Sequence, residues 1–308
     1  MGDTIVAQRL FLTGSHWMAV GGVFAAVCML ATGGIFVKYS ALDPIATGVW
    51  RVLFAIPLAW GWLLSERRSA KATASHSSQS WRDTALLVIA GMSLGCDLAL
   101  WNISFSYTTV ANANLLANMV PFIIIPVAWL FFKESISAKF LGGAVLTIAG
   151  LALLLGRKFS TGLETLLGDG LALATAIFYA IYLLMVRRLR ERYSTSYIMY
   201  MSGFGCLVVL IPLSLAIEDH IFPQVVDDLW PLLGLAAIAH VGGQGLLALS
   251  MKYLSASLSS VLVLLQPAVA AFYAWHLFGE QLAVSEVSGI TVCIAGLYVA
   301  TRSKQTGS

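Results

Sequence analysis

The segment PFIIIPVAWLFFKE, residues 121–134, has a counterpart in PAVAAFYAWHLFGE, residues 267–280, which lies 146 positions further along the chain. Both copies begin with a proline, contain Ala-Trp in the middle and end with a glutamate. The same register holds over residues 101–155 and 247–301, where 13 of 55 positions are identical without a gap. Proline, tryptophan and glutamate rarely coincide by chance in apolar segments, so this agreement predicts an internal duplication.

The composition predicts a membrane protein. Hydrophobic residues make up 59% of the sequence and charged residues 11%, and the mean hydropathy is +0.85, which is unusual for a soluble domain. A bilayer core about 30 Å thick takes roughly 20 apolar residues per helix. Ten stretches meet this length, near residues 17–38, 44–64, 84–104, 108–131, 138–156, 167–187, 196–217, 229–250, 256–278 and 283–301. They leave no room for a sizeable soluble domain.

The basic residues predict the orientation of these spans. With a cytoplasmic N-terminus, fourteen Lys and Arg residues fall in cytoplasmic segments, and only Lys38, Arg157 and Lys158 fall outside. Such a bias is typical of cytoplasmic loops. It accounts for the net charge of +3 without a nucleic-acid partner and places both termini in the cytoplasm.

Five spans per copy is an odd number, so the second copy must cross the bilayer in the opposite direction. We therefore predict an all-α polytopic membrane protein with ten transmembrane helices. Two inverted five-helix repeats, residues 17–156 and 167–302, surround a central cavity. The other predicted segments are a cytoplasmic N-terminus at 1–16, a flexible basic loop at 65–82 and a cytoplasmic tail at 303–308. The sequence leaves open whether the protein is a monomer or a homodimer.

Two prolines are candidate hinges. Pro121 and Pro267 fall near the middle of spans four and nine, where a proline removes one backbone hydrogen bond. In lipid such a defect is tolerated only against protein or a water-filled cavity. The prolines are either fixed kinks that improve packing or hinges for alternating access. Glu134 and Glu280 follow the same two spans, and we expect them at the start of the next helix, where the helix dipole favours a negative charge.

Small residues predict where helices approach closely. Gly143 and Gly150, repeated as Gly289 and Gly296, each share one helical face and favour spans five and ten as packing elements. The four cysteines lie in four different spans without metal-ligand spacing, which indicates apolar packing: Cys28, Cys96, Cys206 and Cys293. No metal site, cofactor motif or catalytic motif is apparent in the sequence.

Two charges remain inside the membrane after loops and span ends are set aside, namely Arg51 and Asp97. Burying one charge costs several kcal/mol by most measures, which makes these residues functional candidates. Each lies roughly 10 Å below the same end of its span by the helical rise of about 1.5 Å per residue. We expect them to approach each other and face a cavity as a charge pair or coupling site. The alternatives are a structural ion pair, or outward snorkelling of Arg51.

Polar and aromatic side chains at helical spacing add candidates for substrate binding. The complete candidate set is Asp97, Trp101, Asn102, Asn114, Asn118, Tyr179, Tyr182, His240, Gln244 and Gln266. The amides have an alternative role as hydrogen-bonding groups between helices. His240 is either a hydrogen-bonded packing residue or a proton carrier.

The pattern resembles the drug/metabolite transporter superfamily, in its ten-helix EamA-type branch. The resemblance rests on Pro44 to Arg51 at the start of span two and on a run that the second copy repeats from Tyr253 to Gly296. The residues of that run are Tyr107, Ala111, Pro121, Trp129, Phe132, Glu134, Gly143 and Gly150. The resemblance implies carriers in the bacterial inner membrane that transport amino acids, other metabolites or drugs, commonly exporters, with a central cavity between the two halves. The overall pattern is also similar to that of bacterial aromatic amino acid exporters.

The favoured function is secondary export of small metabolites by alternating access, with amino acids, especially aromatic ones, as the expected small-molecule substrate. Arg51 and Asp97 suit a carboxylate and an ammonium group, and the aromatic residues suit a ring. An exporter of lipophilic cationic drugs is the nearest alternative, because one buried carboxylate among aromatic residues also suits a cation. An intramembrane enzyme built on Ser202 or Ser250 with His240 is an alternative from another class. A channel is disfavoured because no ring of ionisable residues is evident.

Overall fold

The computed structural model describes residues 2–69, 81–156, 162, 165–279 and 281–303, and these residues contain helices but no strand. Within this part, ten segments are long and apolar enough to cross a membrane, which confirms the predicted number of spans. The spans are Trp17–Tyr39, Pro44–Arg68, Trp81–Ser104, Asn112–Phe131, Ala138–Leu155, Leu166–Leu189, Thr195–Ile217, Val226–Ser250, Ala256–Phe278 and Val284–Thr301. The chain is therefore a multi-pass membrane protein.

Four of these spans are divided into shorter helices. The α-helices of the described residues are α1 Gly2–Ala31, α2 Gly33–Tyr39, α3 Pro44–Ser69, α4 Trp81–Ser104, α5 Val110–Ala117, α6 Val120–Phe131, α7 Ala138–Leu155, α8 Leu166–Leu189, α9 Thr195–Ile217, α10 Leu229–Gly234, α11 Gly245–Ser250, α12 Ala256–Val263, α13 Gln266–Phe278 and α14 Val284–Thr301. A 3-10 helix, Val226–Asp228, precedes α10, and a π-helix, Leu235–Gln244, joins α10 to α11. The divided spans are spans one, four, eight and nine, and all four of these spans reach the centre of the bundle.

The bundle has two ends, which we name after residues of the first span. The Tyr39 end also holds Asp43, whose carboxylate accepts a hydrogen bond from the backbone N–H of His220 at 2.9 Å. The Trp17 end also holds Glu66, whose carboxylate accepts a hydrogen bond from the Ser196 hydroxyl group. Each contact joins the first repeat to the second, so the repeats interlock at both ends.

The crossing of α7 and α14 shows that the second repeat is inverted. Gly143, near the start of α7, lies against Ala300, near the end of α14. Gly289, near the start of α14, lies against Leu154, near the end of α7. The 146-residue offset exchanges the two contacts, because it relates Gly143 to Gly289 and Leu154 to Ala300, so the two helices are antiparallel and related by a local twofold axis. This geometry confirms the predicted close approach of spans five and ten.

A second close contact joins α4 to α9 in the middle of the bundle. Gly91 on α4 lies against the carbonyl group of Ser202, and Gly205 on α9 lies against the carbonyl group of Val88. Because neither glycine has a side chain, the two backbones touch and form a rigid wall. Helix α8 packs on the same α4, and its Tyr182 is among the largest fully buried side chains of the protein.

Spans four and nine each consist of two short helices, which corrects the expected mid-helix kink. Helix α5 ends at Ala117 and α6 begins at Val120, so Pro121 lies in the first turn of the second helix. The same break separates α12 from α13, with Pro267 in the first turn of α13. Proline fits the first turn because its missing N–H has no helical partner there. The hinge role of the two breaks stays a prediction.

Glu134 caps a helix of the other repeat, which corrects its expected position at the start of the following helix. Its carboxylate accepts hydrogen bonds from the backbone N–H groups of Ala256 at 2.9 Å and Ser257 at 3.3 Å, and from the Ser257 hydroxyl at 2.6 Å. These groups begin α12, where N–H groups lack helical partners and the dipole favours a negative charge. The following helix, α7, is capped by Ser137 instead.

Some predicted segments cannot be compared with the structure. Residues 70–80 of the predicted basic loop and residues 304–308 of the predicted tail lie outside the described residues, as does Glu280. The predicted N-terminal segment is helical from Gly2 onward, since α1 begins there.

The twofold contact between α7 and α14 predicts opposite effects for two adjacent glycines. A Cβ at Gly143 would lie 2.5 Å from the backbone nitrogen of Ala300, whereas a Cβ at Gly142 would meet nothing within 4 Å. Overpacking a tight contact costs about 1–3 kcal/mol or more. We expect Gly143→Leu to lower the thermal unfolding midpoint and the yield of monodisperse protein in detergent, and Gly142→Leu to leave both unchanged. Equal behaviour of the two variants would contradict this packing.

Candidate functional site

A cavity of about 150 Å³ lies between the two repeats, where the broken spans meet. The structure brings eight of the predicted residues to its walls: Arg51, Asp97, Trp101, Asn114, Asn118, Tyr179, Gln244 and Gln266. The first span and the start of the π-helix add a small and apolar wall formed by Leu30, Gly33, Gly34, Val37 and Leu235. The cavity is thus polar on one side and apolar on the other.

The internal duplication accounts for much of this lining. Five pairs of positions related by the 146-residue offset both face the cavity: Leu98 and Gln244, Asn114 and Ser260, Ala117 and Val263, Asn118 and Leu264, and Val120 and Gln266. The backbone of the site is therefore nearly symmetric, whereas its chemistry is not. Within each of these pairs the two residues differ, so each wall presents different groups to a ligand.

Arg51 on α3 is held by a hydrogen bond to His240. Its Nε donates to Nδ1 of His240 at 3.2 Å, and the two residues come from different repeats. His240 belongs to the π-helix and is only 2% exposed. This contact differs from the expected approach of Arg51 to Asp97, and it keeps Arg51 inside the bundle rather than snorkelling outward.

Asp97 on α4 faces the cavity without a hydrogen-bond partner among the described residues. Asp97 and Arg51 line the same cavity, but the described residues contain no direct ion pair between them. The structure therefore places both charges at the wall of one cavity, and their role as a charge pair or coupling site stays a prediction. The carboxylate and the guanidinium group both remain available to a ligand.

Tyr179 and Gln244 form one polar edge of the cavity. The Gln244 amide nitrogen lies 3.5 Å from the Tyr179 hydroxyl oxygen, while the Gln244 amide oxygen is buried without a partner. Tyr182 stacks on Tyr179 with ring centroids 6.1 Å apart, but it lies in the core and is 1% exposed. Only Tyr179 of this pair therefore reaches the cavity.

The side-chain amides of Asn102 and Asn118 also have partners within the protein. Asn102 does not line the cavity, and its side chain donates to the carbonyl of Pro44 at 3.3 Å. Asn118 lines the cavity, but its side chain donates to the carbonyl of Asn114 at 2.7 Å and so caps the end of α5. Gln266, by contrast, has no such partner among the described residues, which leaves its amide free for a ligand.

Sequence reasoning missed Gly33, Gly34 and Ser260. The glycines follow a break in the first span, where the Thr32 hydroxyl donates to the carbonyl of Met29 at 2.6 Å. A glycine pair inside an apolar span was the available signal. Ser260 is the repeat counterpart of Asn114, so applying the 146-residue offset to the candidates would have found it.

The cavity lies nearer to the Tyr39 end than to the Trp17 end. Val37, Trp101 and Asn114 each line it within about one or two turns of the Tyr39 end. Toward the Trp17 end, every residue of α12 is buried, and Glu134 fixes the start of that helix. The protein is therefore more tightly closed at the Trp17 end.

The serine and histidine residues of the enzyme alternative are not arranged for catalysis. The Ser202 hydroxyl is directed at the carbonyl of Met199 in its own helix, and His240 pairs with Arg51. A nucleophile requires a base within hydrogen-bonding reach. Neither Ser202 nor Ser250 forms such a contact with His240 in the described part of the chain.

Ten spans in two inverted repeats around a polar cavity define a membrane carrier. The family model of EamA-like transporters matches residues 17–156 and 166–302. The chain belongs to the EamA-like transporter family. Its function class is therefore transport and not catalysis.

Relatives and a solved structure agree with this assignment. An uncharacterized transporter of Archaeoglobus fulgidus is 26% identical over 289 residues, which cover 90% of this chain and 95% of the relative. The uncharacterized transporter YxxF of Bacillus subtilis is 26% identical over 233 residues, with 73% of each chain covered. The pseudopaline exporter CntI of Pseudomonas aeruginosa is 22% identical over 220 residues, or 71% of this chain and 76% of the exporter. A crystal structure with 18% identity and a TM-score of 0.80 shares the fold, covering 93% of this chain and 98% of the other.

Because Gly34 belongs to the apolar wall of the cavity, we expect this position to limit the size of the cargo that is transported. Gly34 lines the cavity and a Cβ there would meet nothing within 4 Å, so we expect a larger side chain to reduce the space for a ligand. We expect Gly34→Val to reduce transport of bulky cargo at least about tenfold, since a ligand group that no longer fits loses about 1–3 kcal/mol. Small cargo should be transported as before, as measured by uptake into liposomes.

Gly21 provides the matched control for this variant. It lies in the same span, its Cβ would also meet nothing within 4 Å, and it does not line the cavity. Gly21→Val should therefore transport bulky and small cargo normally. A uniform loss for both cargo sizes in Gly34→Val would contradict a filter at this position.

Proposed function

We propose that this protein is a secondary transporter that exports small zwitterionic metabolites, with amino acids, and foremost aromatic amino acids, as its cargo. The observation that carries the proposal is the presence of Arg51 and Asp97 in one cavity without an ion pair between them. A zwitterion brings one partner of opposite charge to each of these groups. In a low-dielectric site both groups gain from such pairing.

The rest of the lining supports an aromatic side chain. Trp101 and Tyr179 supply ring surfaces that stack on another ring, and Gly34 leaves space opposite the polar edge. Gln266 adds an amide that can donate or accept a hydrogen bond. Export agrees with the resemblance to the pseudopaline exporter of Pseudomonas aeruginosa, which is a property of that relative.

Alternating access follows from the two repeats. Breaks at the same position in spans four and nine let each half of a span tilt against the other, and both breaks border the cavity. The distribution of Lys and Arg supports a bacterial cytoplasmic membrane with both termini in the cytoplasm. In that orientation the Tyr39 end faces outward, and the cavity lies toward the side of release.

A lipophilic cation is the second candidate cargo. This alternative is favoured by the unpaired carboxylate of Asp97, combined with the engagement of Arg51 by His240. An aromatic wall near a carboxylate is a common cation site. Such a cargo makes no use of the free edge of the Arg51 guanidinium, which is why the zwitterion is the first candidate.

Flux of a labelled amino acid panel into liposomes, with and without a pH gradient, tests the proposal. We expect saturable uptake of tryptophan, phenylalanine and tyrosine above that of empty liposomes. Acceleration by the gradient would identify proton coupling, and equal rates would identify facilitation. Absence of amino acid flux together with uptake of a lipophilic cation would contradict the proposal and favour the alternative.

Replacement of Asp97 should weaken transport, whereas replacement of an aspartate outside the cavity should not. Asp97→Asn keeps the shape of the side chain but loses its charge, and a hydrogen bond to a charged group contributes about 1.5–3 kcal/mol. We expect tryptophan uptake at a subsaturating concentration to fall by about tenfold or more. Asp219→Asn, at an exposed position outside the cavity, is the control and should transport normally. If Asp97→Asn transported normally at every pH, Asp97 would take part neither in cargo binding nor in proton coupling.

A further inference from the structure

Opposite charges in a membrane-embedded cavity attract each other strongly because the local dielectric is low. Arg51 and Asp97 share such a cavity, yet the described residues contain no ion pair between them. The described residues give Arg51 a single side-chain partner, His240, on the π-helix of the other repeat. Within the described part of the chain, that contact is the one hydrogen bond that orients the guanidinium group.

We propose that His240 is a positioning residue that holds Arg51 away from Asp97 and presents it to a carboxylate group of the cargo. The inference rests on the proposed function, because it assigns the carboxylate subsite of the same cavity. It also predicts a chemical preference, because a subsite at Arg51 binds cargo that has a carboxylate group more tightly than amines without a carboxylate.

The geometry of His240 suits this role better than direct contact with cargo. His240 is 2% exposed and is not part of the cavity wall, whereas Arg51 is. The hydrogen bond of 3.2 Å runs from Nε of Arg51 to Nδ1 of His240. A guanidinium group only donates, so the ring accepts through an unprotonated Nδ1 and is neutral, with its proton on Nε2.

The guanidinium group then presents one defined edge to the cavity. Its five N–H donors lie in a planar fork, and the bond to His240 uses the one on Nε. The two Nη groups have no partner among the described residues. They match the two oxygens of a carboxylate in a bidentate pair, which adds directional selectivity to the charge attraction.

The π-helix fixes the position of His240. Segments of this kind are rare and frequently lie at functional sites. Two glycines of the π-helix lie against the first span: a Cβ at Gly242 would be 2.6 Å from Met29, and one at Gly243 would be 2.9 Å from Leu30. This packing holds the π-helix against the first span, and we expect it to keep the imidazole ring in place as the partner of Arg51.

A pair of cargo molecules separates this role from a general structural one. Tryptophan and tryptamine share the indole ring and the ammonium group, but only tryptophan has a carboxylate. In liposome uptake assays we expect His240→Leu to raise the KM for tryptophan about tenfold or more at an unchanged kcat, which is the signature of lost binding. The KM for tryptamine should stay within about twofold of the wild-type value.

Conservative rescue provides the second arm of the experiment. His240→Asn places an amide oxygen close to the position of Nδ1 and should restore most of the tryptophan affinity. Ser202→Ala, at a buried site that contacts neither Arg51 nor the cavity, serves as a control for core perturbation. Equal losses for tryptophan and tryptamine, or equal damage in the Asn and Leu variants, would overturn the inference.

If tryptamine is not transported, a structure of the His240→Leu variant tests the positioning role of His240 instead. The released Arg51 should turn toward Asp97 and form an ion pair, and an unchanged Arg51 would overturn the inference. This readout needs no cargo, so it also separates the inference from the proposed function. Absence of tryptophan flux in the wild-type protein would contradict the proposed function alone.

Discussion

The cost of charge in a bilayer is the constraint on which the rest of this structure depends. A charged side chain in the hydrocarbon core is expensive, yet the protein keeps Arg51 and Asp97 at the walls of one cavity. It meets this cost by surrounding the cavity with protein from both repeats and by giving Arg51 a partner in His240. Asp97 is left without a hydrogen bond in the described residues. Under the proposed function, the ammonium group of the cargo supplies the partner that this carboxylate lacks.

The scaffold around the cavity is symmetric, whereas its chemistry is asymmetric. Glycine contacts between α7 and α14 repeat across a twofold axis, and the helix breaks before Pro121 and Pro267 occupy equivalent places. Under the proposed alternating access, a symmetric scaffold lets the two repeats exchange conformations and so exchange the more open end for the more closed one. Glu134 closes the Trp17 end in the observed conformation by binding the start of α12. The ligand-facing groups, by contrast, differ within every offset pair that lines the cavity, so a ligand meets one fixed orientation of charges.

The span number, the inversion and the glycine crossing were predictable because each rests on many residues or on a repeated pattern. The local conformation of the backbone was not predictable from the sequence. Nothing in the hydropathy of Leu235–Gln244 distinguishes a π-helix from an α-helix, and that choice sets where His240 points. Contacts between distant parts of the chain, such as Arg51 with His240 or Glu134 with Ala256, depend on how the repeats interlock. Tyr179 and Tyr182 show the limit most clearly: they are three residues apart on one helix, but only the first reaches the cavity.

The most direct test of the central claim is a structure of the protein determined with tryptophan at saturating concentration. The account predicts density for the amino acid inside the cavity, with its carboxylate at the Nη edge of Arg51 and its ammonium group at Asp97. Density that lies outside the cavity, or inside it without contact to either charge, would contradict the claim that these two residues select the cargo.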